Sequence, residues 1–179
     1  MILRLFRRTP HDTIATLYGM IVAQARAPAF YRGYGVPDTV NGRLEMIMLH
    51  AVLLLGRLEE EGPALRALGQ RLFDRFCRDV DDSLREMGVG DLAVPRKMRR
   101  VGAAFYARQA AYRAALAADG EAVLAAALQR NVFAGAAPGQ AAVRLAAYVR
   151  EAQRQLAAQY GFERALLAFP DPERVPPRA

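Results

Sequence analysis

Residues 41–58, NGRLEMIMLHAVLLLGRL, decide the fold. Leu44, Ile47, Met48, Ala51, Leu54, Leu55 and Leu58 recur at helical spacing, and Met46, Leu49 and Leu53 widen the stripe. A helix apolar nearly all round is the central one of a bundle, wrapped by others. Its apolar run, Met46 to Leu55, is interrupted by His50 and falls far short of the roughly 20 residues that span a bilayer. Glu59-Glu60-Glu61-Gly62-Pro63 closes it.

Helical periodicity continues on both sides. Thr9-Pro10 reads as an N-cap followed by proline at the first helical position. From there Ile14, Leu17, Tyr18, Ile21, Val22 and Ala25 form an amphipathic helix that ends before Pro28. Pro28 to Pro37, with Phe30, Tyr31 and Tyr34, reads as a compact loop pinned by aromatics. After the central helix, Leu65, Leu68, Leu72, Phe76, Val80, Leu84 and Met87 predict a helix from Pro63 to Met87, stopped by Gly88 and Gly90. A fourth begins near Asp91 or Pro95, carries Met98, Val101, Phe105 and Tyr112, and breaks at Asp119-Gly120. A shorter fifth covers Glu121 to Asn131, and a sixth runs from Gln140 to about Tyr160, with Phe162 to Phe169 continuing it after a kink. β-branched residues never alternate with polar ones over a strand's length. The prediction is an all-α protein: a single globular bundle of about six helices with short loops. One domain spans residues 1–169, and the four prolines of 170–179 mark a tail expected to be unpacked.

Composition limits the function. The chain is 53% hydrophobic and 24% charged, as a globular domain is. Its net charge is +7 and Lys97 is the only lysine. Arginine excess on this scale fits a GC-rich genome, and it also favours anionic partners such as RNA, ribosomes or acidic head groups. One cysteine, Cys77, excludes an internal disulfide and reads as a small core hydrophobe. His50, on an apolar helix, reads as a satisfied core histidine. Phosphate-loop, dinucleotide, zincin, nucleophile-elbow and paired C-x-x-C motifs are all absent from the sequence. No signal peptide is recognised at the start, so the protein is expected to stay in the compartment where it is made. No catalytic residue, metal, cofactor, small-molecule substrate or specific DNA site is predicted.

Charge is distributed unevenly. Glu59 to Asp91 holds nine acids against five arginines, whereas Leu92 to Ala118 holds six bases and no acid. The simplest expectation is that the acidic and basic helices pack antiparallel and neutralise each other at the rim. The other is that Arg96, Lys97, Arg99 and Arg100 stay free for an anionic partner. Within Asp79 to Asp91, Asp81 and Arg85 are spaced to pair along the helix. Asp79, Asp81 and Asp82 could in principle hold a metal or act as acid and base, but ion pairing and capping account for them more simply.

Several blocks, in order, resemble the ubiquinol–cytochrome c chaperone family. They are Leu17 to Arg26, Pro28 to Tyr31, Tyr34 to Thr39, Gly42-Arg43, Asp79 to Leu92, Phe105 to Arg108 and Arg130 to Phe133. The resemblance implies an all-helical assembly factor without enzymatic activity. Its partner would be nascent or unassembled cytochrome b, destined for the ubiquinol–cytochrome c reductase (complex III). The ribosome and the inner-membrane surface would be further contacts, and a bacterial, cytoplasmic form is implied by the absence of the longer N-terminal region of mitochondrial relatives. Such a helper needs an adaptable apolar surface with a basic rim. Tyr34, Val36, Met46, Met48, Met87 and Val89 suit the former. Arg96, Lys97, Arg99 and Arg100 suit the latter, and the matched blocks add Asp38, Arg43, Asp81, Arg85, Asp91 and Arg108. The alternative is a ribosome- or RNA-associated basic helical protein.

Overall fold

The computed structural model describes residues 10–118, 120–135, 139–162 and 167–175. These form seven helices: α1 (Pro10–Ala25), α2 (Pro28–Arg32), α3 (Val40–Glu60), α4 (Pro63–Glu86), α5 (Val94–Ala117), α6 (Ala122–Asn131) and α7 (Gly139–Ala157). Six have ten residues or more, and α2 is a five-residue turn inside the stretch expected to be a loop. Pro28 explains it: proline at the first helical position fits a new helix but cannot extend α1.

α3 is central. It packs on α1, α4, α5 and α7, and α6 closes the far side against α5 and α7. Leu49, Leu54 and Leu58 are fully buried, each stabilising the fold by about 1.5–3 kcal/mol relative to exposure. The start of α3 depends on one glycine. Thr39 Oγ1 accepts from the Gly42 amide at 3.1 Å, an N-cap bond. A Cβ on Gly42 would lie 2.0 Å from the Pro37 carbonyl oxygen, so only glycine fits there without a backbone shift. At the opposite end of the bundle, Arg150 on α7 donates to the Ala118 and Gly120 carbonyls at 3.1 and 2.6 Å, satisfying orphan groups at the end of α5.

The core holds a continuous polar chain. Gln24 Nε2 on α1 donates to the Tyr148 hydroxyl at 2.9 Å. That hydroxyl lies 2.9 Å from His50 Nε2, and His50 Nδ1 is 2.7 Å from the Met46 carbonyl. Only one assignment satisfies every group. Nδ1 carries the proton and donates to Met46, and Nε2 accepts from Tyr148. His50 is therefore the satisfied core histidine that the sequence predicts. Burial pushes its pKa down to about 4, partly opposed by the hydrogen bond to Met46.

Two expectations fail at the C-terminal end. Leu167 to Phe169 does not continue α7, while residues 163–166 of that expected continuation lie outside the described residues, and 170–175 is not an unpacked tail. Leu167, Phe169, Pro170 and Pro172 are buried, and Phe169 meets the His50 ring edge-on at 4.9 Å. The extended backbone is held at alternate carbonyls. Gln155 and Gln159 donate to Ala168, Gln24 to Pro170 and Tyr34 to Pro172. Proline-rich sequence lacks amide donors but keeps its carbonyls, and buried amides and a phenol supply the donors instead. Thr9 and residues 176–179 lie outside the described residues.

The histidine makes stability depend on pH with a definite sign. The unfolded chain binds a proton near pH 6.5, and the folded chain refuses it down to about pH 4. This contribution is complete above pH 6.5 and is lost as pH falls through that window, by up to about 3 kcal/mol. Urea unfolding at pH 7 and pH 5 should show lower stability at pH 5. His50→Gln should remove most of that difference, and an unchanged slope in the variant would place the titration elsewhere.

Candidate partner-binding surface

The residues proposed for partner contact fall into three groups. Tyr34 and Val36 are 7% and 2% exposed, and Met46 and Met48 are core as well. They offer no side chain to a partner in this state, because all four are packed in the core. Tyr34 points inward, its ring 5.4 Å from Phe30, and its hydroxyl is spent on Pro172.

A second group is committed to ion pairs. Arg108 on α5 makes a two-armed contact with Glu45 on α3, at 3.0 and 2.7 Å. The Glu45 side chain is only 4% exposed and that of Arg108 is 22% exposed. The paired carboxylate raises the Arg108 pKa still further. Arg108 is therefore an internal tie between helices, not a free cation. The missed signal was Glu45 itself, an acid within an apolar run, which must find a cation once buried. Asp38 and Arg43 pair at 2.6 Å in solvent, and each favours the other's charged form.

Asp79, Asp81 and Asp91 also have partners. Asp79 accepts from the Tyr18 hydroxyl at 2.8 Å and lies 3.7 Å from Arg75, tying α4 to α1. Arg85 bridges Asp81 and Asp91 at 2.6 and 2.5 Å, as the i,i+4 spacing of Asp81 and Arg85 predicts. No trio of potential metal ligands occurs among the described residues. The bridge fixes the turn between α4 and α5. The Val89 amide bonds the Leu84 carbonyl and the Gly88 amide bonds that of Arg85. Gly88 has φ +79°, and together these form a Schellman cap.

The third group is exposed. The expected neutralisation between acidic α4 and basic α5 does not occur. Among the described residues, no ion pair joins the two helices. They are held by aromatics instead, with Phe73 and Phe76 against Phe105 at 4.9 and 5.3 Å. The basic residues further along α5, Arg108 and Arg113, pair with Glu45 and Glu59 of α3. Arg96, Lys97, Arg99 and Arg100 are left exposed, with no ion pair among the described residues. Beside them Met87 is 54% exposed and Leu92 99%, and Val89 is half-buried. Leu92 was missed because an apolar residue in a turn carries no periodic signal.

A separate cleft of about 570 Å³ opens between α3, α5 and α7. Val52, Leu53, Leu116 and Leu156 give it an apolar lining, and Arg57, Glu59 and Arg113 also line it. No helix among the described residues is long and apolar enough to cross a membrane.

What this fold puts forward is exposed contact surface on an all-helical scaffold. A family model described as ubiquinol–cytochrome C chaperone matches residues 32–164, and the chain belongs to that family. It is similar to the ubiquinol-cytochrome-c reductase complex assembly factor 1 of Xenopus laevis, with 28% identity over 117 residues. That alignment covers 65% of this chain and 58% of the relative, so the chain spans a little over half of that protein. The crystal structure of the Cbp3 homolog from Brucella abortus superposes with a TM-score of 0.86 at 41% identity, covering 98% of this chain and 100% of that one.

The buried pair gives a direct test. Arg108→Met should cost about 3–5 kcal/mol in urea unfolding, because it strands the Glu45 carboxylate. Adding Glu45→Gln should recover most of the loss. A single-variant cost below about 1 kcal/mol would show the pair to be solvated.

Proposed function

We propose that this protein is an assembly chaperone for the ubiquinol–cytochrome c reductase and that its client is newly made cytochrome b. The match of residues 32–164 to the chaperone family carries this reading. The Xenopus relative, whose name states assembly of that complex, supports it. The geometry is consistent in kind. A membrane-protein client leaves translation with apolar helices exposed, and a helper must cover them reversibly. The cleft between α3, α5 and α7 is lined by apolar side chains together with charged ones, as suits a transient helix-binding groove. The work is binding rather than covalent chemistry, performed on the cytoplasmic side of the membrane into which the client inserts.

Deleting the gene should abolish the assembled complex and its cytochrome b absorbance while other respiratory complexes persist. Photocrosslinking from Gln109, in the cleft wall, should capture cytochrome b in cells. Normal complex levels in the deletion strain would overturn the reading. Loss of the complex with crosslinks only to other proteins would overturn the choice of client.

A further inference from the structure

The tip between α4 and α5 combines two features that the bundle itself does not use. The first is apolar. A single exposed leucine is ordinary on any protein surface. Leu92, however, is 99% exposed at the apex of a turn held by the Gly88 cap and by the Arg85 bridge to Asp81 and Asp91. Met87, 54% exposed, flanks it on the α4 side. The turn thus presents aliphatic side chains outward on a braced support.

The second feature is charge placed against the helix's own field. The first turn of α5 contains no acid, and Arg96 and Lys97 sit where the amide dipoles leave partial positive charge. Arg99 and Arg100 follow in the next turn. At about 100° per residue the four cations cover an arc of about 160° on the exposed side of α5. The acids closest in sequence are Asp82, Glu86 and Asp91, and Asp91 is taken by Arg85. An anionic layer in front of this face would relieve both the mutual repulsion of the cations and their conflict with the dipole.

We infer that the α4–α5 tip docks on an anionic phospholipid bilayer. Leu92 and Met87 enter the boundary between head groups and acyl chains, and Arg96, Lys97, Arg99 and Arg100 spread over the phosphates. The combination selects a bilayer over RNA. A polyanion alone rewards the cations but gives an aliphatic apex nothing, whereas acyl chains reward it by its buried area. RNA recognition favours free aromatic faces for stacking. The exposed aromatic of α5, Tyr106, has its ring against Phe73 at 5.5 Å. Docking of this kind is peripheral and reversible, and it does not depend on the identity of the client.

Co-sedimentation of the full chain with vesicles tests it. Vesicles of phosphatidylcholine with about one third phosphatidylglycerol should bind the protein, pure phosphatidylcholine should not, and added salt should weaken the binding steeply. Each cation contributes about fivefold to the affinity, so R96E/K97E/R99E/R100E should lose at least about a hundredfold. Leu92→Ser, which leaves charge and fold unchanged, should lose about tenfold. Equal affinity for both vesicle types would overturn the proposal, as would full binding by Leu92→Ser. So would absence of vesicle binding combined with tight, charge-dependent binding to single-stranded RNA. None of these results bears on complex assembly in the deletion strain.

Discussion

One buried imidazole sets the terms for the rest of the bundle. His50 lies fully buried on the central helix α3, and a polar ring there is tolerated only if both nitrogens are satisfied. Met46 supplies an acceptor from the same helix, so the remaining nitrogen needs a donor from another element. Tyr148 on α7 provides it, and Tyr148 is in turn served by Gln24 on α1. Three helices distant in sequence are thereby held at one relative position. Phe30 and Phe169 complete the aromatic packing around the ring, which fixes α2 and the C-terminal segment as well. Apolar burial supplies most of the stability, but it is indifferent to register. The hydrogen-bond chain is not.

The same logic applies at the buried charge of Glu45. Glu45 and Arg108 lock α5 to α3, and Glu59 with Arg113 repeats the connection nearer the end of α3. These commitments determine which cations remain at the surface. The basic residues of α5 that overlie α3 are consumed, and those in its first two turns, next to the α4–α5 turn, are not. The chain's positive charge is therefore concentrated by the packing of its acids, not by the count of its arginines.

Much of this was legible in the residues. Helical periodicity gave the long helices and the central role of 41–58. The i,i+4 spacing gave the Asp81–Arg85 pair. The resemblance of separate blocks gave the family. The failures share a physical cause. Periodicity identifies which face of a helix is buried but not what covers residues outside helices, so Tyr34 and Val36 looked available and 170–175 looked loose. Proline content argued for an unpacked tail because proline lacks an amide donor, whereas the contacts that hold that segment use its carbonyls. Long-range partners such as Gln24 and Tyr148 leave no local trace, since neither residue type at either position demands the other. Leu92 was invisible for the opposite reason, as a residue that packs on nothing.

The C-terminal strap has a consequence for how the protein comes into being. Its contacts join Gln24 to Pro170 and Tyr34 to Pro172, separations of 146 and 138 residues. During synthesis the first three helices emerge early, with the Gln24 amide and the Tyr34 hydroxyl waiting for carbonyls that have yet to be made. Until then the edge of the His50 ring that Phe169 will cover stays open. Closure is a late, long-range event of the kind that slows folding. The finished core therefore belongs to chains translated at least through residue 172, and a nascent copy of this protein passes through an interval in which part of its own core lies uncovered.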